Sequence, residues 1–168
     1  NGDVMSLTAL NSTDVFGGCN TSLCIIVPKD AYQAYKSASN WSRYASKIYS
    51  DENVVDGKFL IVDGVLKQYL GTDADVTIPD SVTSIGDYAF AYNTTVKKVT
   101  WNGQLKQIGN YAFADCVALT TINSSTAGTF DLGTGLTTIG QYAFSNCTGA
   151  KTIVVREGVT SIGYAAFM

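Results

Sequence analysis

From Ser84 onward the alternation of apolar and polar residues returns as one phrase: SIGDYAF (Ser84–Phe90), then QIGNYAF, TIGQYAF and SIGYAAF. Its isoleucines fall at 85, 108, 139 and 162, spaced 23, 31 and 23 residues apart. A repeat of roughly 20–30 residues marks a solenoid, in which each rung is too small to bury its own apolar face and must stack on its neighbours. Other columns keep the same spacing. They are Gly86, Gly109, Gly140 and Gly163; Phe90, Phe113, Phe144 and Phe167; and Tyr88, Tyr111 and Tyr142 with Ala165 in the fourth place. Stacking turns such columns into side-chain ladders, and a buried ladder must stay apolar and even in size because protein interiors are close-packed. The phenylalanines are therefore the expected structural ladder. Phe113 and Phe144 should be nearly fully buried, with neighbouring rungs about 4.8 Å apart, the spacing of paired strands.

After each Phe the pattern runs F-x-x-C/N-x-x-L-x-x-I. It is clearest at Phe113, Cys116, Leu119 and Ile122, and returns at Phe144, Cys147, Ala150, Ile153 and at Phe90, Asn93, Val96, Val99. Alternation through VKKVTW and KTIVV predicts one short strand per rung. Ile78–Val82 aligns with Trp101–Leu105, Leu132–Leu136 and Val155–Val159, so the eight extra residues of the long repeat fall between Ile122 and Phe130. The inserted NSSTAGT (Asn123–Thr129) is small and polar, and is expected to bulge as a loop at the end of a strand.

Upstream, PKDAYQAYKSASNW changes to a helical period. Asp30 and Gln33 have the spacing of a capping box, and Ala31, Ala34, Tyr35 and Ala38 line up as one apolar stripe. In DGKFLIVDGVLKQYLG, the Asp63-Gly64 step between two apolar runs is a hairpin signal.

The L-x-x-I-x-I step, a turn, and then IGxxAFxxC resembles the leucine-rich repeats of the BspA-like kind over roughly residues 72–168. The run FGGCNTSLCIIVPKDAYQAYKSASNWSRYASKI resembles the closing repeat of such arrays, with its V-P step, helix and Trp, and the hairpin resembles the opening element of a fresh array. The expected fold is thus an α/β repeat: a leucine-rich-repeat solenoid with short parallel strands, a capping helix and a β-hairpin. Residues 1–50 are read as the closing repeat and capping helix of an array, and residues 51–168 as a hairpin cap with about four repeats. Phe167-Met168 departs from the family pattern by stopping mid-rung with no closing V-P helix. Two arrangements follow: residues 1–50 simply precede the hairpin in line, or they close the far end of an array, in the same molecule or, by end-to-end self-association, in a neighbouring one.

Composition narrows the chemistry. The 168-residue chain carries a net charge of −3 and 15% charged residues, with no Lys/Arg-rich stripe of the kind that neutralises phosphates, so nucleic acid is not an expected partner. Its apolar runs reach only about five residues, too short for a transmembrane segment. It opens on Asn1 rather than Met, as a processed or trimmed chain does. Histidine is absent, which removes imidazole catalysis and His-ligated zinc. None of the four cysteines forms a CxxC pair. Cys19, Cys116 and Cys147 share one rung position and are expected as small buried thiols, with Cys24 a free buried thiol on a strand.

Asp73 and Asp75 offer too few oxygens for calcium, which takes about six to eight, and read better as a turn. Asp80, Asp87, Asp115, Asp131 and Glu157 sit mostly at turns and form no evident glycosidase pair. The tyrosine column is either a half-buried ladder or a carbohydrate-stacking strip. No catalytic residue, cofactor or metal site is expected. The outward strand face is the candidate binding surface, through Lys97, Lys98, Thr100, Thr120, Thr121, Lys151 and Thr152, flanked by Thr77 and Val154, with Asn123, Ser124 and Ser125 of the inserted loop. The resemblance implies a non-catalytic bacterial protein, at the cell surface or secreted, that binds proteins and adheres to host extracellular matrix. The alternative is a carbohydrate-binding or scaffolding module of a larger surface protein.

Overall fold

In a computed structural model the described residues are Phe16, Cys19 and residues 23–168. Gly17, Gly18 and residues 20–22 of the FGGCNTSL run lie outside them. The chain divides into two compact units, Asn1–Val55 and Asp56–Met168.

In the first unit, β1 (Ile25–Val27) pairs in parallel with β2 (Ile48–Ser50). A 3-10 turn (Lys29–Ala31), α1 (Tyr32–Ser37) and a second 3-10 segment (Ser42–Lys47) connect them, and β3 (Val54–Val55) ends the unit. Tyr32, Tyr35 and Ala38 pack against a small core of Val27, Trp41 and Ile48. The apolar stripe is therefore not the expected one, because Ala34 faces solvent. The capping box does not form either: Asp30 lies inside the preceding 3-10 turn, and α1 starts from Ala31 without a side-chain cap. Cys19 is exposed, contrary to its reading as a buried ladder residue.

The second unit opens with β4 (Phe59–Val62) and β5 (Val65–Tyr69), an antiparallel pair with Val62 opposite Val65. Asp63 (φ 50) and Gly64 (φ 74) make the turn. Positive φ at both central residues is what a type I′ hairpin requires. The chain then winds through β6 (Asp75–Thr77), β7 (Ser84–Ile85), β8 (Lys98–Thr100), β9 (Gln107–Ile108), β10 (Thr121–Ile122), β11 (Thr129–Asp131), β12 (Thr138–Ile139), β13 (Thr152–Val154) and β14 (Ser161–Ile162). One sheet runs β13-β11-β10-β8-β6, and a second runs β14-β12-β9-β7-β5-β4. Each rung thus holds two kinds of strand rather than the single one expected. The second kind is the two-residue step that opens each SIG phrase, too short to show an alternation of its own.

A third wall is built from the turns that follow each Gly. There Tyr88 N–H donates to Asn110 O, Phe90 N–H to Ala112 O and Tyr92 N–H to Ala114 O, at 3.0, 2.8 and 2.8 Å. Tyr111 and Phe113 repeat the pattern onto Gln141 and Ala143, and Tyr142 and Phe144 onto Tyr164 and Ala166. Alternate N–H groups can point to one side because Tyr88, Tyr111, Tyr142 and Ala165 are left-handed (φ 60, 55, 54 and 51). Such residues cost about 1–2 kcal/mol each, offset by the inter-rung bonds and by ring stacking.

The core lies between the three walls. Ile85, Ile108 and Ile139 are at most 1% exposed, whereas Ile162, in the same column of the last rung, is 50% exposed. Burial in this column is therefore supplied by the next rung, as the stacking argument requires. The phenylalanine ladder runs parallel through it, Phe90 to Phe113 at 4.8 Å, Phe113 to Phe144 at 5.1 Å and Phe144 to Phe167 at 5.4 Å between centroids.

Candidate functional site

The five-stranded sheet turns Val76, Val99, Ile122 and Phe130 inward and the residues flanking them outward. Its irregularity is the insertion. β10 and β11 belong to one rung yet lie side by side in parallel, with Ile122 opposite Phe130, so the long repeat contributes two strands to this sheet. The expected loop exists between them, but its larger effect is the added strand.

Asn123 makes this arrangement possible. At the equivalent positions of other rungs the bond is backbone to backbone, as where Ile78 N–H donates to Thr100 O at 2.8 Å and Leu132 N–H to Val154 O at 3.0 Å. By the same pattern Trp101 N–H would meet the carbonyl of Asn123, but Asn123 is left-handed (φ 44) and the chain turns away there. Its side chain substitutes: Trp101 N–H donates to Oδ1 at 2.8 Å, and Nδ2 donates to Asp131 O at 3.1 Å. The amide bridges β8 to β11 as a peptide group would. Asn123→Ala is expected to cost about 2–3 kcal/mol by leaving a donor and an acceptor unpaired. Asn123→Asp, which keeps the acceptor, should lose less. Urea unfolding of the two variants measures the difference.

The remaining candidate residues fall as follows. Lys97, Lys151 and Thr152 are exposed, while Lys98, Thr100 and Thr120 are half-buried on the same face. Thr77 and Thr100 hydroxyls meet at 3.1 Å across β6 and β8. Thr121 does not belong among the accessible residues: it is 7% exposed, packed beside the Thr120 hydroxyl. Ser125 is open, and Ser124 Oγ accepts from Thr126 N–H at 3.0 Å within the loop. Beside the insertion stands a group that sequence reasoning passed over. Arg156 Nε donates to Asp131 Oδ1 at 3.0 Å, its NH2 pairs with Oδ2, and Trp101 lies next to them. The guanidinium holds the Asp131 carboxyl below the usual carboxylate range. The available signal was Trp101 itself, an aromatic residue in a column otherwise filled by Ile78, Leu132 and Val155.

Residues 72–168 match the BspA-type leucine-rich repeat region, in six copies. The chain belongs to the BspA-type leucine-rich-repeat family. It is similar to the pneumococcal vaccine antigen PcpA, at 27% identity over 69% of this chain and 29% of that one, with a TM-score of 0.56. It is also similar to a T. pallidum leucine-rich-repeat protein, at 25% identity over 59% of this chain and 45% of that one, with a TM-score of 0.51. The chain spans less than half the length of either. It matches no curated protein. Leucine-rich-repeat domains generally bind proteins and are generally not enzymes. Among the described residues no helix is long and apolar enough to cross a membrane.

Within this BspA-type array the other candidate chemistry has structural work. Asp80 accepts from Asn102 Nδ2 at 2.7 Å, Asp87 from Asn110 N–H at 2.7 Å and Asp115 from Asn146 Nδ2 at 2.7 Å. Asp73 is held by Lys58 at 2.8 Å and by the Tyr69 hydroxyl at 2.9 Å. Tyr88, Tyr111 and Tyr142 stack at 5.0 and 4.9 Å with interplanar angles of 2° and 14°. The faces of Tyr111 are thereby covered, which leaves a ladder with exposed edges and disfavours a sugar-stacking strip.

Cys116 and Cys147 are buried, and each thiol donates to the phenylalanine carbonyl one rung back, Phe90 O at 3.0 Å and Phe113 O at 3.1 Å. Burial pushes the Cys116 thiol up, and Cys147 up to about 12 from 9.0. Both should resist thiol reagents in the native protein while exposed Cys19 reacts, and all four should react in denaturant. A native count that includes Cys116 or Cys147 would contradict the packing. Below pH 9 folded and unfolded chains both keep these protons; as pH rises from 9 towards 12 only the unfolded chain ionises Cys147. The stability this thiol contributes is therefore present below pH 9 and lost across that window.

Proposed function

We propose that this chain is a non-catalytic, protein-binding part of a bacterial surface or secreted protein, and that the outward face of the five-stranded sheet meets the partner. The observation that carries the reading is the state of Lys97, Lys98 and Lys151. Lys97 and Lys98 stand at the start of β8 and Lys151 just before β13, three strands away, on a chain of net charge −3, and among the described residues none of them forms an ion pair. Lys98 has Asp75 opposite it in the sheet without a salt bridge; cations held at the starts of these strands suit an acidic patch on a protein, with charge complementarity setting on-rate and register. Placement at the surface is supported by the likeness to PcpA, a vaccine antigen. Host extracellular-matrix proteins are the proposed partner class.

The face alone is small. Strands about 4.8 Å apart and roughly 10 Å long give a strip of roughly 250 Å², against about 800 Å² per partner in a standard interface. Binding by this chain alone should therefore be weak. Surface plasmon resonance over a panel of matrix proteins, beside a glycan array, tests the reading. We expect micromolar or weaker binding to a matrix protein that declines with salt and disappears in the Lys97→Glu, Lys98→Glu, Lys151→Glu variant. Binding that survives the triple change would contradict this use of the face. No binding to any matrix protein would contradict the partner class.

A further inference from the structure

The inserted strand leaves a notch of about 260 Å³ beside it. Pockets for drug-sized ligands run to about 300–1,000 Å³, so this one suits a single ring. Trp101 lines it, half-buried, in a column that buries Ile78 and Leu132 and leaves Val155 exposed. A Cβ at Gly133 (φ 71) would lie 3.5 Å from Trp101 Nε1 and 3.4 Å from Asn123 Nδ2, so the missing side chain keeps that space open. Asp131 and Arg156 line it too. Asp131 is fixed by Gly133 N–H at 3.0 Å as well as by Arg156. Two of the five guanidinium N–H groups serve the carboxylate, and the carboxylate oxygens keep lone pairs.

The notch therefore presents an aromatic side chain, a fixed acceptor and a fixed donor, with its two charges cancelling. An ionic ligand gains little from charges already paired with each other. A neutral group with an apolar face and adjacent hydroxyls, each able to donate and accept, matches all three features. We propose that the notch is a monosaccharide subsite, in which a pyranose ring packs against Trp101 while two neighbouring hydroxyls bond Asp131 and Arg156. The subsite stands apart from the use of the lysine-bearing face and does not depend on it.

The chain has two tryptophans, hence two indole N–H signals in a nitrogen–proton correlation spectrum. Trp101→Leu assigns them and should fold, since Leu132 fills the same column. Neutral hexoses and N-acetylhexosamines, a uronic acid, and a tyrosine-containing peptide are titrated in turn. We expect a saturable shift of the Trp101 indole with at least one neutral sugar and none of Trp41. Saturation-transfer signals from that sugar should vanish with Trp101→Leu and weaken at least tenfold with Arg156→Gln. Either variant decides the matter if the other fails to fold. No saturable shift with any neutral sugar, a response confined to the uronic acid, or a response to the peptide instead would overturn the proposal.

Discussion

Phe113→Ala is expected to lower the unfolding free energy by about 3–5 kcal/mol, the range for deleting an aromatic ring from a core. Phe113 has no exposed surface and stacks on both sides, against Phe90 at 4.8 Å and Phe144 at 5.1 Å. The resulting cavity cannot close by rungs moving together, because inter-rung hydrogen bonds fix their spacing. Its N–H is one of them, donating to Ala143 O at 2.8 Å. Phe167 occupies the same column but is half-buried and, among the described residues, stacks only on Phe144, at 5.4 Å. Phe167→Ala should therefore cost clearly less. Urea unfolding of both variants checks this: a loss under about 1 kcal/mol for Phe113→Ala, or equal losses for the two, would show that the ladder does not carry the stability assigned to it.

Gly140→Ala should be comparably severe for the opposite reason. A Cβ there would lie 2.5 Å from Gly109 C and 2.6 Å from Asn110 N, which are backbone atoms of the preceding rung. Neither can swing aside as a flexible side chain could, and widening the gap would break the bond from Gly140 N–H to Ile108 O at 2.8 Å. We expect a loss of about 3 kcal/mol or more, at or beyond the top of the usual range for overpacking. Gly57 gives the contrast, with a left-handed φ of 65 but nothing within 4 Å of an added Cβ. Gly57→Ala should lose only about 1–2 kcal/mol of backbone strain. If thermal unfolding ranks the two equally, crowding between rungs is not why the column is glycine.

These contrasts explain what the sequence disclosed. Column identity was legible because stacking makes each position answer to its equivalent one rung away, so Ile, Gly and Phe recur at a fixed spacing. The hairpin was legible because left-handed Asp63 and Gly64 are residues suited to that backbone. The left-handed tyrosines were not, since a bulky residue with positive φ is held there by inter-rung bonds and stacking that no local propensity records. The insertion could be located to the residue, yet its role could not. Whether six small residues loop out or lead back into a strand depends on one side-chain amide, Asn123, taking over a backbone position. The failed capping box at Asp30 and the burial of Thr121 have the same origin, local pattern overruled by a neighbouring segment. Trp101, Asp131 and Arg156 come from three successive rungs, and nothing short of stacking those rungs brings them together.

The most direct test of the binding account is a hydrogen-exchange footprint of the chain with a matrix protein bound. The account predicts added protection along one face, over residues 97–100, 120–123 and 151–154. Protection confined to the opposite chemistry, the turn wall carrying Tyr88, Tyr111 and Tyr142, with residues 97–100 and 151–154 unchanged, would contradict it.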